Sequence, residues 1–154
     1  MTKTTIRSGD LVVVCDGRKA LILENLGDGV HPNLRMREVL EHDDRLNHEQ
    51  GSEAPGRVQQ SMGSARSAVE PPDWQRDAER HFLEMLAREL DAEVTRSPAK
   101  RLTVVAAPRA LGMLRHAYSP AVRHAISAEL DKDWVKMPIY EIEKQLQRAE
   151  AGPH

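Results

Sequence analysis

The amino-acid sequence predicts an α/β domain built on a mixed five-stranded sheet with helices packed on its faces. Three observations carry this expectation. Two apolar runs flank a tight turn near the start, a long stretch after position 73 repeats its apolar residues at helical spacing, and a short buried-strand pattern is followed at once by a proline-initiated helix.

In chain order, Leu11-Val-Val-Val-Cys15 reads as a strand, and Asp16-Gly17 turns it into a second apolar run, Ala20-Leu-Ile-Leu23, giving a hairpin around residues 16–19. Leu26-Gly-Asp-Gly29 marks the next turn. Leu34, Met36, Glu38 and Leu40 are expected on one side of a third strand, with Arg35, Arg37 and Val39 on the other. Residues 43–72 lose all periodicity and read as a long loop, a length usually reserved for functional or disordered segments. Asp73 is placed as the N-cap of a helix over about 74–94, with Ala78, Phe82, Met85, Leu86 and Leu90 inward and Arg76, Asp77, Glu79, Arg80 and Glu84 outward.

Leu102-Thr-Val-Val-Ala-Ala107 is a buried-strand pattern, and Pro108 presets the first turn of a helix through Leu111, Leu114 and Ala117. Ser119-Pro120 repeats the cap-plus-proline signature before Val122 and Ala125, and the alternation of Ile126, Ala128 and Leu130 predicts a fifth strand. Pro138 opens a last helix with Ile139, Ile142 and Leu146 on one face. Residues 1–149 form one domain in this reading, and 150–154 a flexible tail. The order β-β-β-α-β-α-β-α predicts antiparallel pairing early and parallel pairing late, including a parallel pair between Leu11–Cys15 and Leu102–Ala107, which is the pattern of a ribonuclease H-like domain.

Composition narrows the function. The chain has 154 residues with 22 Lys+Arg against 24 Asp+Glu, so a net charge of -2 provides no global attraction for nucleic acid or an anionic membrane. Cys15 is alone, which excludes an intramolecular disulfide and a multi-thiolate metal site and fits a reducing cytoplasm. The apolar run 11–15 is too short for a secretion leader or a bilayer span, so no membrane insertion is expected.

Asp16-Gly-Arg-Lys-Ala20, Pro55-Gly-Arg57, Ser61-x-Gly63-x-x-Arg66-x-Ala68-x-Glu70, Val104-Val-Ala-Ala-Pro108, Leu111-Gly112-x-Leu114-Arg115 and Lys132-Asp133 before Pro138 stand in an order that resembles the bacterial "protein required for attachment to host cells" family. The resemblance covers almost the whole chain and rests on the ordered set, not on any one motif. Trp134-Val135 departs from the Leu-Thr expected after Lys132-Asp133. The resemblance implies a domain similar to the middle domain of eukaryotic and archaeal peptide-chain release factors, and a role in attachment of bacteria to host cells with no chemical mechanism attached.

Arginines are the candidate binding residues. Arg57 and Arg66 lie in the long loop as planar bidentate donors for carboxylate or phosphate, or as partners of Glu53, Glu70 or Asp44. Between Val94 and Ala128 no carboxylate occurs, and the stretch carries six cations, Arg109, Arg115 and Arg123 among them, leaving 16 bases against 24 acids elsewhere. Such asymmetry suits an anionic partner such as ribosomal RNA, or acidic groups of the same fold or of a second subunit. Gly112, inside a helix, suggests close packing on the sheet or close approach of a ligand.

Catalysis has less support. A two-metal nuclease needs several gathered carboxylates. The first strand carries none inside, Asp10 and Asp16 flank it, and Glu79 or Glu84 could join only by chance of folding. The histidines, with His42 and His48 near Glu41, Asp43 and Asp44 and with His81, His116 and His124 on separate helices, do not assemble a zinc site. The sequence therefore predicts a non-enzymatic cytoplasmic binding protein without metal or cofactor, acting on attachment indirectly through a protein partner or the ribosome. A translation-associated RNA binder and an unrecognised metal-dependent hydrolase are the alternatives.

Overall fold

The computed structural model describes residues 6–42, 73–98 and 100–151. The segment 43–72, with Arg57, Arg66 and His48, lies outside them. The elements are β1 (Leu11–Cys15), β2 (Lys19–Asn25), β3 (Leu34–Glu41), α1 (Asp73–Arg96), β4 (Leu102–Ala106), α2 (Pro108–Ala117), α3 (Pro120–Ala125), β5 (Ile126–Leu130) and α4 (Ile139–Ala151).

The five strands form one sheet in the order β3-β2-β1-β4-β5. β2 runs antiparallel to both neighbours, whereas β1 pairs with β4 and β4 with β5 in parallel. The expected parallel pair is present, with Val13 opposite Val104.

β1 is central and buried along its whole length, which is why it reads as a continuous β-branched run and not as an alternating one. Leu11, Val13 and Cys15 face a core completed by Phe82, Leu83, Leu86 and Leu90 of α1 and by Leu111 and Leu114 of α2. Val12 and Val14 face the opposite core, closed by Trp134, Val135 and, from α4, Ile142 and Leu146. Each fully buried aliphatic side chain contributes about 1.5–3 kcal/mol, so this strand anchors both layers. No helix among the described residues is long and apolar enough to cross a membrane.

Local polar chemistry sets the turns. Asp16 Oδ1 accepts from the amides of Arg18 and Lys19 at 2.8 and 2.9 Å, closing the first hairpin. Gly27 is required in the next connection, because a Cβ there would stand 2.1 Å from the carbonyl oxygen of His31. Ser119 Oγ caps α3 by accepting from the Val122 amide at 3.1 Å, as its position before Pro120 predicts.

Four expectations need correction. The register of β3 shifts at Ile22/Leu23, where Leu23 pairs with Met36 but Ile22 with Glu38. This bulge adds a residue at Arg37, so Leu34 joins the α4-side core and Leu40 the α1-side core instead of sharing one side. On α1, Met85 is exposed and Leu83 is buried in its stead, since the inward stripe runs through 83, 86, 87, 90 and 94. Asp73 is the first residue of α1 and not a flanking cap. The last helix continues through Ala151, into the expected tail.

Candidate functional site

Pro108 follows directly on β4 and starts α2 at the carboxyl edge of the parallel strands, the edge at which open α/β sheets bind ligands. Arg109, Gly112, Met113 and His116 fall on the face of α2 that looks toward α1, as spacing by three and four dictates. Opposite them, α1 presents Arg80, Glu84 and Arg88, again four residues apart, and the two sets enclose an open groove of about 520 Å³. Pro108, Leu111 and Arg115 line a smaller recess with Glu129 and Asp131 at the end of β5, about 350 Å³ in volume.

The three candidate arginines that can be placed all have partners within the chain. Arg109 Nη2 lies 3.3 Å from Glu79 Oε1. The Glu79 side chain in turn covers Gly17, where a Cβ would meet its Cγ and Cδ at 2.9 Å, so the first hairpin turn, α1 and α2 meet at one point. Arg115 donates from Nε and Nη2 to Glu129 Oε1 at 3.0 and 2.8 Å, and this ion pair raises its pKa. Arg123 donates to the Arg115 carbonyl at 2.7 Å and stands 5.8 Å over the Tyr118 ring. Tyr118 donates to Glu129 Oε2 at 3.1 Å, and burial, then the charge of Glu129, push its pKa up.

The stretch without carboxylates thus borrows its counter-charges from Glu79 on α1 and Glu129 on β5. About half of each guanidine-bearing side chain at 109 and 115 remains open to solvent, so the surface keeps its basic character. Arg57 and Arg66 lie outside the described residues.

Gly112 corrects the expectation of helix-to-sheet packing. It is exposed on the groove side, and a Cβ added there meets nothing within 4 Å among the described residues.

Of the carboxylates considered for metal chemistry, Asp10, Asp16 and Glu79 serve local structure, and Glu84 lines the groove. Asp10, only 5% exposed, accepts from the Arg7 amide at 2.9 Å and from Arg101 Nη2 at 2.9 Å. Asp16 closes its hairpin and Glu79 holds Arg109. Among the described residues the carboxylates that do come together are Glu38 on β3 with Glu89 and Glu93 on α1, whose oxygens lie within 4.8 Å of one another. Sequence reasoning missed this group, because only the bulge turns Glu38 toward α1. Glu93 pairs with Arg37 at 3.2 Å and Arg96 at 2.9 Å. Burial, then the charge and hydrogen bond of Glu89, raise the pKa of Glu38.

His81 donates from Nδ1 to the Asp77 carbonyl, 2.9 Å away, while His116 faces the groove. Cys15 is buried, and burial, then the charge of Asp16, push its thiol pKa up to about 12, which keeps it protonated and unreactive.

Among curated proteins none matches the chain. A family model described as "Protein required for attachment to host cells" matches residues 11–146, from the first residue of β1 into α4, and the chain belongs to that family.

Proposed function

We propose that this chain serves attachment to host cells as a non-enzymatic binding protein that meets an acidic protein partner with its α2–α3 surface. The family description supports the attachment role. The observation that carries the binding role is the exposed pair Arg115 and Arg123 on adjoining helices, within a stretch that holds no acid of its own. Asp10, Asp16 and Glu79 are engaged in bonds that organise the fold, which favours binding over hydrolysis. The effect on adhesion is indirect in this reading, and the chain works in the cytoplasm.

The test is genetic. Cells lacking the chain are expected to attach poorly to host cells. Complementation with a variant carrying Arg115→Ala and Arg123→Ala, at wild-type protein level, is expected to fail. Full rescue by that variant would remove the basis of the reading.

A second reading has its own support. The strand order, with β2 as the antiparallel member, supports a ribonuclease H-like fold akin to the release-factor middle domain, and the basic surface would then contact ribosomal RNA. Co-sedimentation with ribosomes across a salt series decides it, since each phosphate-contacting arginine removed should lower the slope of log affinity against log salt by about 1. Absence of sedimentation at low salt rejects RNA and leaves the protein partner.

A further inference from the structure

We infer that the groove between α1 and α2 is a binding site for a small molecule with an oxyanion head, phosphate or carboxylate, and a flat apolar body. Three independent observations converge on it. The groove measures about 520 Å³, within the range of small-ligand sites of roughly 300–1,000 Å³.

Its rim is cationic. Arg80, Arg88 and Arg109 stand against Glu84 alone among the carboxylates lining it. Arg80 is tied to Asp77 and Arg109 to Glu79, whereas Arg88 makes no ion pair or hydrogen bond among the described residues. A planar guanidinium without a partner, facing a cavity with two more nearby, is the arrangement that takes a carboxylate or phosphate bidentately.

The floor is apolar and bare. Met113 and Ala117 pack back against the α1-side core, stay partly exposed and give the groove an apolar floor. Between them and Arg109 lies Gly112, where glycine weakens the helix and yet relieves no clash. Among the described residues nothing packs into the space of that missing side chain. A ligand lying on the α2 backbone would, because a methyl group there would occupy its place.

The site goes beyond the macromolecular surface proposed above, which rests on Arg115 and Arg123, and its test leaves both of those residues untouched. Phenyl phosphate, benzoate, inorganic phosphate and benzyl alcohol are titrated into the full chain and followed by amide chemical shifts. Saturable millimolar binding of phenyl phosphate or benzoate is expected, with shifts centred on residues 80–88 and 109–117, and the tighter of the two names the head group. Inorganic phosphate and benzyl alcohol, each lacking one half of the recognised chemistry, should bind about tenfold more weakly or not at all.

Arg88→Gln should weaken binding about tenfold, the loss of one charge-assisted contact. Gly112→Leu should abolish it, and Gly112→Ala should weaken it while unfolding at the same or a higher temperature than wild type. No saturable binding by either anion, benzyl alcohol binding as tightly as benzoate, or affinity unchanged by both Arg88→Gln and Gly112→Leu would overturn the inference. None of these outcomes bears on attachment through Arg115 and Arg123, and full rescue by the Arg115/Arg123 variant, which would remove that reading, leaves the groove standing.

Discussion

Arg115 and Glu129 form a two-donor ion pair in which Nε and Nη2 of the arginine share one carboxylate oxygen, at 3.0 and 2.8 Å. The pair joins α2 to β5 and cancels one charge of the basic surface. Glu129→Gln keeps the shape and restores that charge, so the variant should elute from a heparin column at higher salt than wild type, and Arg115→Ala at lower salt. Equal elution of all three would mean that this surface does not meet polyanions.

Glu38 yields a pH prediction. Its pKa is raised by burial and then by Glu89, so the native state holds this proton more tightly than the unfolded chain does. Its favourable contribution is complete below the ordinary carboxyl range and is lost as pH rises through the raised value. Glu38→Gln keeps the neutral form throughout. Its urea midpoint should exceed that of wild type at neutral pH, and the difference should shrink near pH 4. A variant less stable than wild type at neutral pH would show that the charged form is the favoured one.

Glu24 titrates in the opposite sense. Its Oε2 accepts from Lys100 Nζ at 3.0 Å and its Oε1 from Arg37 at 2.8 Å, and the Lys100 bond is the main cause of its lowered pKa, against some opposition from burial. The stabilisation is present above the ordinary carboxyl pKa and lost as pH falls through the lowered one. Lys100 also donates to the Gly9 carbonyl at 3.0 Å, so Lys100→Met should cost about 1–2 kcal/mol at neutral pH and less in acid. A loss independent of pH would assign the effect to the Gly9 contact alone.

The elements were legible where one physical signal dominates. Buried β1 and β4 read as continuous apolar runs, and Pro108 and Ser119-Pro120 mark their helix starts through fixed φ and a side-chain cap. The facing of β3 was not legible. Met36-Arg37-Glu38 contains neither glycine nor proline to announce a bulge, and one extra residue reverses every side chain beyond it. At the candidate site, the carboxylate-free stretch located Arg109, Arg115 and Arg123. Their counter-ions Glu79 and Glu129 come from other elements and emerge only on folding. Arg80 and Glu84 were visible on an outward face of α1, whereas Arg88, four residues on, was not part of that reading. That α2 stands across from this face, making a groove, is a tertiary fact.

Asn25 carries the last prediction. It is fully buried, and its amide nitrogen is shared among the carbonyls of Ile6, Arg7 and Asp28 at 3.2, 3.2 and 3.3 Å. Its Oδ1 accepts from the amides of Gly27 and Asn33, both at 2.9 Å, so one side chain organises the segment before β1 and the connection from β2 to β3. Asn25→Asp keeps the volume and the acceptor but faces three carbonyls with a buried oxygen that has no proton to give. The expected loss is at least about 3 kcal/mol at neutral pH, combining unsatisfied acceptors with a desolvated charge. Protonation returns one donor, so the introduced carboxyl should have a raised pKa and part of the stability should return near pH 4. Urea denaturation of wild type and variant at both pH values measures this directly. An equal loss at the two would place the damage in the geometry of the turn and not in the charge.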